Sequence, residues 1–208
     1  MAAPAPMLPP MTDARRHAPA TARNREPILT ALHPHLPRRG LVLEVASGTG
    51  EHAAFFAAAL PHLVFQPSDP EPGNLVSCDA WAAGLANLRP ALALDVTAQP
   101  WPVGKADAVF CANMIHIAPW AAAVGLMRGA ALVLPPGGPL ALYGPFRRGG
   151  AHTAPSNAAF DAQLRAQDPR WGVRDLEAVT ALGEAASFAP PLVQEMPANN
   201  LLLIFRRG

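Results

Sequence analysis

Apolar residues along this chain come in short runs that switch between two periods. Leu41–Ala46 (LVLEVA) is almost continuous and reads as a strand buried on both faces, and Glu51–Leu60 (EHAAFFAAAL) reads as a helix. His62–Gln66 predicts the second strand, residues 74–87 a helix around Trp81 and Leu85, and Leu92–Leu94 a short third strand. Ala108–Ala112, a helix over 119–134 and Pro139–Tyr143 continue the alternation. Upstream, TARNREPILTALHPHL (residues 21–36) places Ile28, Leu29, Leu32 and Leu36 on one helical face, with Pro27 tolerable only near the helix start. Downstream, helices are expected over 156–167 and 175–187. Strands Leu192–Met196 and Leu201–Phe205 follow, close enough to pair as an antiparallel hairpin. Strand–helix alternation from residue 41 to 143 predicts an α/β fold, a doubly wound and mostly parallel sheet with helices on both faces.

In such a sheet the ligand crevice lies beyond the carboxyl ends of the strands. The first strand ends Glu44-Val45-Ala46-Ser47-Gly48-Thr49-Gly50. Gly48 and Gly50 permit positive φ and close approach to the backbone, and the next helix points free N–H groups into the crevice. The second strand runs to Asp69, nineteen positions after Gly50, where an acid can hold a ribose diol. Asp95 closes the third strand. Three such strand ends predict a nucleoside-bearing ligand. Gly48-Thr49-Gly50-Glu51-His52-Ala53 also fits G-x-G-x-x-A, so NAD(P) and an oxidoreductase stand as the alternative.

Composition narrows the classes. The 208 residues are half apolar with a net charge of +1, and there is no basic block to grip a nucleic-acid backbone. No uninterrupted apolar span suggests a membrane helix, so a soluble protein with no membrane partner is expected. Cys78 and Cys111 are the two cysteines; neither a disulfide framework nor zinc-ligand spacing is present, and no metal is expected. The start lacks the apolar core of a secretory signal, which makes cytoplasmic location the expectation. Residues 1–20 are rich in Pro and Ala and read as a disordered tail, leaving residues 21–208 as one domain.

E-x-A-x-G-x-G, from Glu44 to Gly50, resembles the acid-first glycine motif of class I S-adenosylmethionine-dependent methyltransferases. Asp95 resembles the acid those enzymes place near the adenine amino group, and the closing hairpin resembles their antiparallel last strand. ARNREPIL, QPSDP, CANMIHIAPW, YGPF, SNAAFD, DPRWGVRD and MPANNLLL extend the likeness to a family of small methyltransferase-like proteins classed as a domain of unknown function. The resemblance implies a Rossmann-like seven-stranded sheet, S-adenosyl-L-methionine as cofactor and methyl transfer, with no settled substrate. Ala46 departs from the motif, which has its first glycine there; a methyl group is tolerable if φ is negative, though it would stand near the methionine end of the cofactor.

On that resemblance Arg25, Glu44, Ser47, Gly48, Gly50, Asp69, Asp95 and Asn113 would hold the cofactor. Arg25 would take its carboxylate, for which a guanidinium fork is suited. Asn113-Met114-Ile115-His116 replaces the Asn/Asp-Pro-Pro-aromatic sequence of nucleic-acid amino-methylating enzymes, so a small-molecule substrate is expected. His116 is placed to be a general base, and equally to be a histidine packed beside Trp120. Tyr143, Phe146, Arg147 and Asn157 would line the substrate, with residues 144–152 as a mobile glycine-rich loop; Asn157 equally suits a first helical turn. A cofactor-binding protein without transfer activity remains a third reading.

Overall fold

The computed structural model describes residues 13–208, so the first twelve residues of the expected tail lie outside the described residues. Six helices are described: α1 (Pro19–Leu32), α2 (Glu51–Ala59), α3 (Pro72–Ala82), α4 (Trp120–Val133), α5 (Pro155–Gln167) and α6 (Leu176–Ala185). The strands are β1 (Gly40–Val45), β2 (Leu63–Asp69), β3 (Leu92–Ala93), β4 (Ala108–Ala112), β5 (Pro139–Gly144), β6 (Arg147–Arg148), β7 (Ala151–His152), β8 (Phe188–Met196) and β9 (Asn200–Arg207).

Seven strands form one sheet in the order β3-β2-β1-β4-β5-β9-β8. The pairs from β3 through β5 are parallel, and β9 enters antiparallel between β5 and β8. The order reverses between β1 and β4, which opens the crevice at the end of β1. Both faces are buried, as the near-continuous apolar strands require. Along β1, Val42 faces the core shared with α1 and α2, whereas Leu43 and Val45 face the core shared with α4 and α6. Among the described residues no helix is long and apolar enough to cross a membrane.

Several boundaries differ from expectation. Residues 13–18 are docked: the Arg16 amide donates to Ser77 Oγ (2.9 Å) and the Trp81 indole donates to the Arg16 carbonyl (3.1 Å). α1 ends at Leu32 and tightens into a 3-10 turn over His33–His35. Pro27 lies well inside α1, with exposed Arg23 one turn back leaving the freed carbonyl to water. β2 runs on to Asp69 because Ser68 pairs with both Val45 and Leu92. β8 begins four residues early, at Phe188, and its register slips between Ala189 and Leu192 to accommodate Pro190 and Pro191, which an edge strand tolerates. The glycine-rich segment after β5 is an ordered β6–β7 hairpin rather than a mobile loop. Carboxylates of Glu177 and Asp175 accept the Gly149 and Gly150 amides at 3.2 and 3.0 Å.

Candidate functional site

The turn after β1 has three residues at positive φ: Ala46 (56°), Gly48 (57°) and Gly50 (86°). The motif's departure is therefore strained, because Ala46 carries a side chain in the left-handed region at a cost of about 1–2 kcal/mol. The two glycines serve different ends. A Cβ on Gly50 would stand 2.7 Å from the Cys78 Cα, so Gly50 is fixed by the close approach of α3. A Cβ on Gly48 would meet nothing within 4 Å, so Gly48 is the residue whose face is open to a ligand.

Asp69 braces this turn. It is 4 % exposed, and its Oδ2 accepts the Gly48 amide at 2.9 Å. Its Oδ1 accepts the Glu71 amide and the Asn74 side-chain amide, each at 3.0 Å. An ionised carboxylate offers about four acceptor directions, so about one remains for a ribose hydroxyl instead of the two expected. Ser47 is likewise internal: its hydroxyl donates to the Glu44 carbonyl (3.3 Å) and accepts the Ser68 amide (3.1 Å), which locks β1 to β2.

Glu44 lies under the turn, 3 % exposed, with Oε2 lacking any partner. Burial pushes its pKa up to about 8, against the Ser47 hydroxyl and the Ala53 amide, which favour the charged form. At neutral pH it is chiefly the neutral acid. Its side chain props the turn from beneath.

Beyond the ends of β1, β3 and β4 opens a cavity of about 290 Å³ lined by Val45, Ala46, Pro70, Leu94, Val96, Met114 and their neighbours. Asp95 stands at its rim, exposed, with Oδ1 held by the Thr97 amide and hydroxyl at 2.8 Å each; Oδ2 makes no hydrogen bond among the described residues. An apolar slot with one polar group at the edge suits a flat heterocycle with an exocyclic donor. Pro70, Met114 and Ala118 escape a sequence reading, because nothing in the local pattern separates them from ordinary core residues.

The residues assigned to chemistry and substrate fare differently. Asn113 follows β4 directly at φ 61°, half-buried, and its Oδ1 packs with His116 Nε2 against Gly144, where a Cβ would meet both. His116 is 0 % exposed and its Nδ1 accepts the Arg174 amide at 3.1 Å. Burial pulls its pKa down to about 3, helped by the Arg174 charge. A base must have its lone pair free and a pKa near the working pH, so His116 is corrected to a buried packing residue. Phe146 is corrected likewise: it is fully buried and edge-on to His116, ring centres 4.9 Å apart. Tyr143 is 4 % exposed, its hydroxyl facing the amides of Asn24 and Asn200. Asn157 is a tie inside the wall, donating to Thr153 Oγ1 (3.1 Å) and to the Asn199 carbonyl (2.9 Å). Arg147 is half-buried, 4.0 Å from Asp175, with Nε unpartnered. Arg25 lays its guanidinium 4.7 Å over the Phe55 ring, and its buried Nε has no partner.

Two neighbours of the turn have partners that the local sequence does not reveal. Glu51, 4 % exposed at the start of α2, accepts the Ala18 amide at 2.6 Å and lies 3.2 Å from His17, so the first helix is anchored beside the glycine turn. His52 meets Asn24 at 2.8 Å, and burial draws its pKa down to about 4.

Residues 15–207 match the model of the family described as Protein of unknown function (DUF938). The chain belongs to DUF938. This DUF938 chain is similar in structure to the S-adenosylmethionine-dependent methyltransferase SibL, at 23 % identity and a TM-score of 0.76, over 90 % of its own length and 55 % of SibL. It is similar to an O-methyltransferase family protein from Burkholderia thailandensis (18 % identity, TM-score 0.77, 91 % of this chain and 57 % of that one). A third likeness is to human N-acetylserotonin methyltransferase in complex with SAM (16 % identity, TM-score 0.75, 91 % and 53 %). The DUF938 chain thus spans little more than half of each of these proteins. At such identities the likeness is one of fold, and the fold is that of the class I methyltransferases.

Proposed function

We propose that this DUF938 protein binds S-adenosylmethionine and transfers its methyl group to a small molecule. The observation that carries the reading is the apolar slot beyond β1, β3 and β4, joined at Val45 and Ala46 to a turn whose Gly48 has an open face. The residues fit the cofactor in three parts. Leu94, Val96 and Met114 would enclose the adenine, with Asp95 Oδ2 toward its amino group. The spare direction on Asp69 would take one ribose hydroxyl. The Gly48 face would admit the chain that carries the sulfonium.

The cofactor, when bound, supplies an electrophilic methyl group. The protein's share is to align an acceptor and to exclude water, since displacement at a sulfonium needs little covalent help. Asn113 at the end of β4, the Tyr143 hydroxyl and Arg147 are the polar groups this chain offers on the acceptor side. The fold of the solved relatives favours this reading over NAD(P) chemistry.

Calorimetric titration with S-adenosylhomocysteine, NAD and NADP tests it. Binding of S-adenosylhomocysteine alone is expected, with a stabilisation of about 2.7 kcal/mol at a hundredfold excess over Kd. Binding of NAD or NADP in its place would overturn the proposal. Transfer of label from S-adenosylmethionine into a metabolite extract then separates an enzyme from a silent binder.

A further inference from the structure

The segment Gly172-Val173-Arg174 joins α5 to α6 and has no place in the cofactor site as drawn above, yet it is bonded to one wall of that site. That wall is the stretch from Met114 to Pro119, of which Met114, Ala118 and Pro119 line the apolar slot. Outside a single 3-10 turn (Met114–His116) and before α4, this stretch has few backbone bonds of its own. Its carbonyls instead turn to Arg174. Arg174 Nε donates to the Ile115 carbonyl at 2.8 Å, and Nη2 donates to the Ala118 carbonyl at 2.6 Å. The Arg174 amide donates to His116 Nδ1 at 3.1 Å, and the Gly172 amide donates to the His116 carbonyl at 2.9 Å. The same guanidinium lies 5.6 Å from the Trp120 ring centre at the first residue of α4. Asp161 of α5 holds the clamp from behind by accepting the Val173 amide at 2.6 Å.

A planar fork can satisfy two carbonyls set at a fixed spacing, which an ammonium cannot. With Arg174 in place, the distance from Met114 and Ala118 to the facing wall at Val45 and Leu94 is set before any ligand arrives. We propose that Arg174 is a positioning residue for adenine: it fixes the 114–119 wall at the slot width that a purine requires. The proposal rests on the cofactor reading. It also explains the buried His116, whose ring serves as the acceptor that locks the clamp to the wall.

Calorimetry at a temperature well below melting, with S-adenosylhomocysteine and with adenosine, tests the role. Arg174→Met keeps the apolar stem and removes both donors; it is expected to weaken both ligands by the same factor, about 10-fold or more. Arg174→Lys is expected to lie within about threefold of Arg174→Met, since charge without the fork does not restore the wall. Amides 115–118 should exchange hydrogen faster in both variants and slow again when S-adenosylhomocysteine is added. Ligand affinities within twofold of wild type in the folded variants would overturn the proposal, leaving Arg174 a stabilising residue only. Should Arg174→Met fail to fold, Trp120→Leu, at the first residue of α4, removes only the aromatic contact to the Arg174 guanidinium. It is expected to cost both ligands about 2- to 5-fold, and no loss there overturns the role equally. A wild-type protein that binds neither ligand removes the cofactor reading and this role with it, which is a different result from variants that bind normally.

Discussion

Asp69 holds two turns with one carboxylate, the amide of Gly48 on one oxygen and the loop into α3 on the other. Asp69→Ala is therefore expected to act on the unliganded protein as well as on cofactor affinity. Hydrogen bonds to a charged group are lost together, so unfolding free energy should fall by roughly 2–4 kcal/mol in urea denaturation. A variant that melts like wild type but binds S-adenosylhomocysteine poorly would make Asp69 a pure ligand contact. Glu44 gives the opposite kind of prediction. Its folded pKa, about 8, stands above the ordinary carboxylate value of 4.5. Below pH 4.5 both states keep the proton. Between 4.5 and 8 the unfolded chain releases it and the folded chain does not, so stability falls as pH rises through that window, by on the order of 5 kcal/mol. Glu44→Gln should flatten this slope in melting curves taken from pH 5 to 8. An identical slope in the variant would mean that Glu44 is ionised when folded.

The turn between β1 and α2 is where local sequence and long-range packing part company. Gly48 and Gly50 look equivalent in the sequence, but only Gly50 abuts another element, through Cys78. Gly50→Ala should thus destabilise the fold, while Gly48→Val should fold and fail to bind S-adenosylhomocysteine, because a β-branched side chain occupies the open face and resists positive φ. A Gly48→Val protein that binds normally would move the cofactor elsewhere. Ala46→Gly should raise unfolding free energy by about 1 kcal/mol, by relieving left-handed strain. The elements themselves are legible because β4 and β5 are apolar throughout, β1 is interrupted only by Glu44, and the glycines punctuate them. The β6–β7 hairpin was not: Arg147-Arg148-Gly149-Gly150-Ala151-His152 has no apolar alternation, and its order comes from Asp175 and Glu177 more than two dozen residues away. The same holds for the site. Gly48 and Asp95 could be found from strand ends, whereas the internal duties of Ser47, Phe146 and Asn157 depend on partners that no local pattern names.

For the molecule as a whole, buried histidines set the acid limit. The folded pKa values of His116 and His52, about 3 and about 4, lie below the ordinary 6.5 because burial penalises the charged ring. Their contribution is fully present above pH 6.5 and is lost as pH falls toward 4, since the unfolded chain takes up protons that the folded one refuses. Two histidines outweigh one glutamate below 6.5, and the glutamate acts alone above it, so the melting temperature should peak near about pH 6.5 in a scan from pH 4 to 9. His116→Asn, whose amide oxygen can still accept the Arg174 amide, should show a shallower acid limb; an unchanged limb would mean the ring is accessible to protons. The overall topology followed from alternation and the closing hairpin. The insertion of β9 between β5 and β8 has a further consequence, for biosynthesis. Residues 200–207 fill a slot between strands that have all been made earlier, and Leu202, Leu203 and Phe205 are 0 % exposed within it. A ribosome-bound chain that has emerged only as far as β8 therefore presents two unpaired edges and an open core. Until the strand that zips them together is made, those edges and the apolar surface between them favour aggregation.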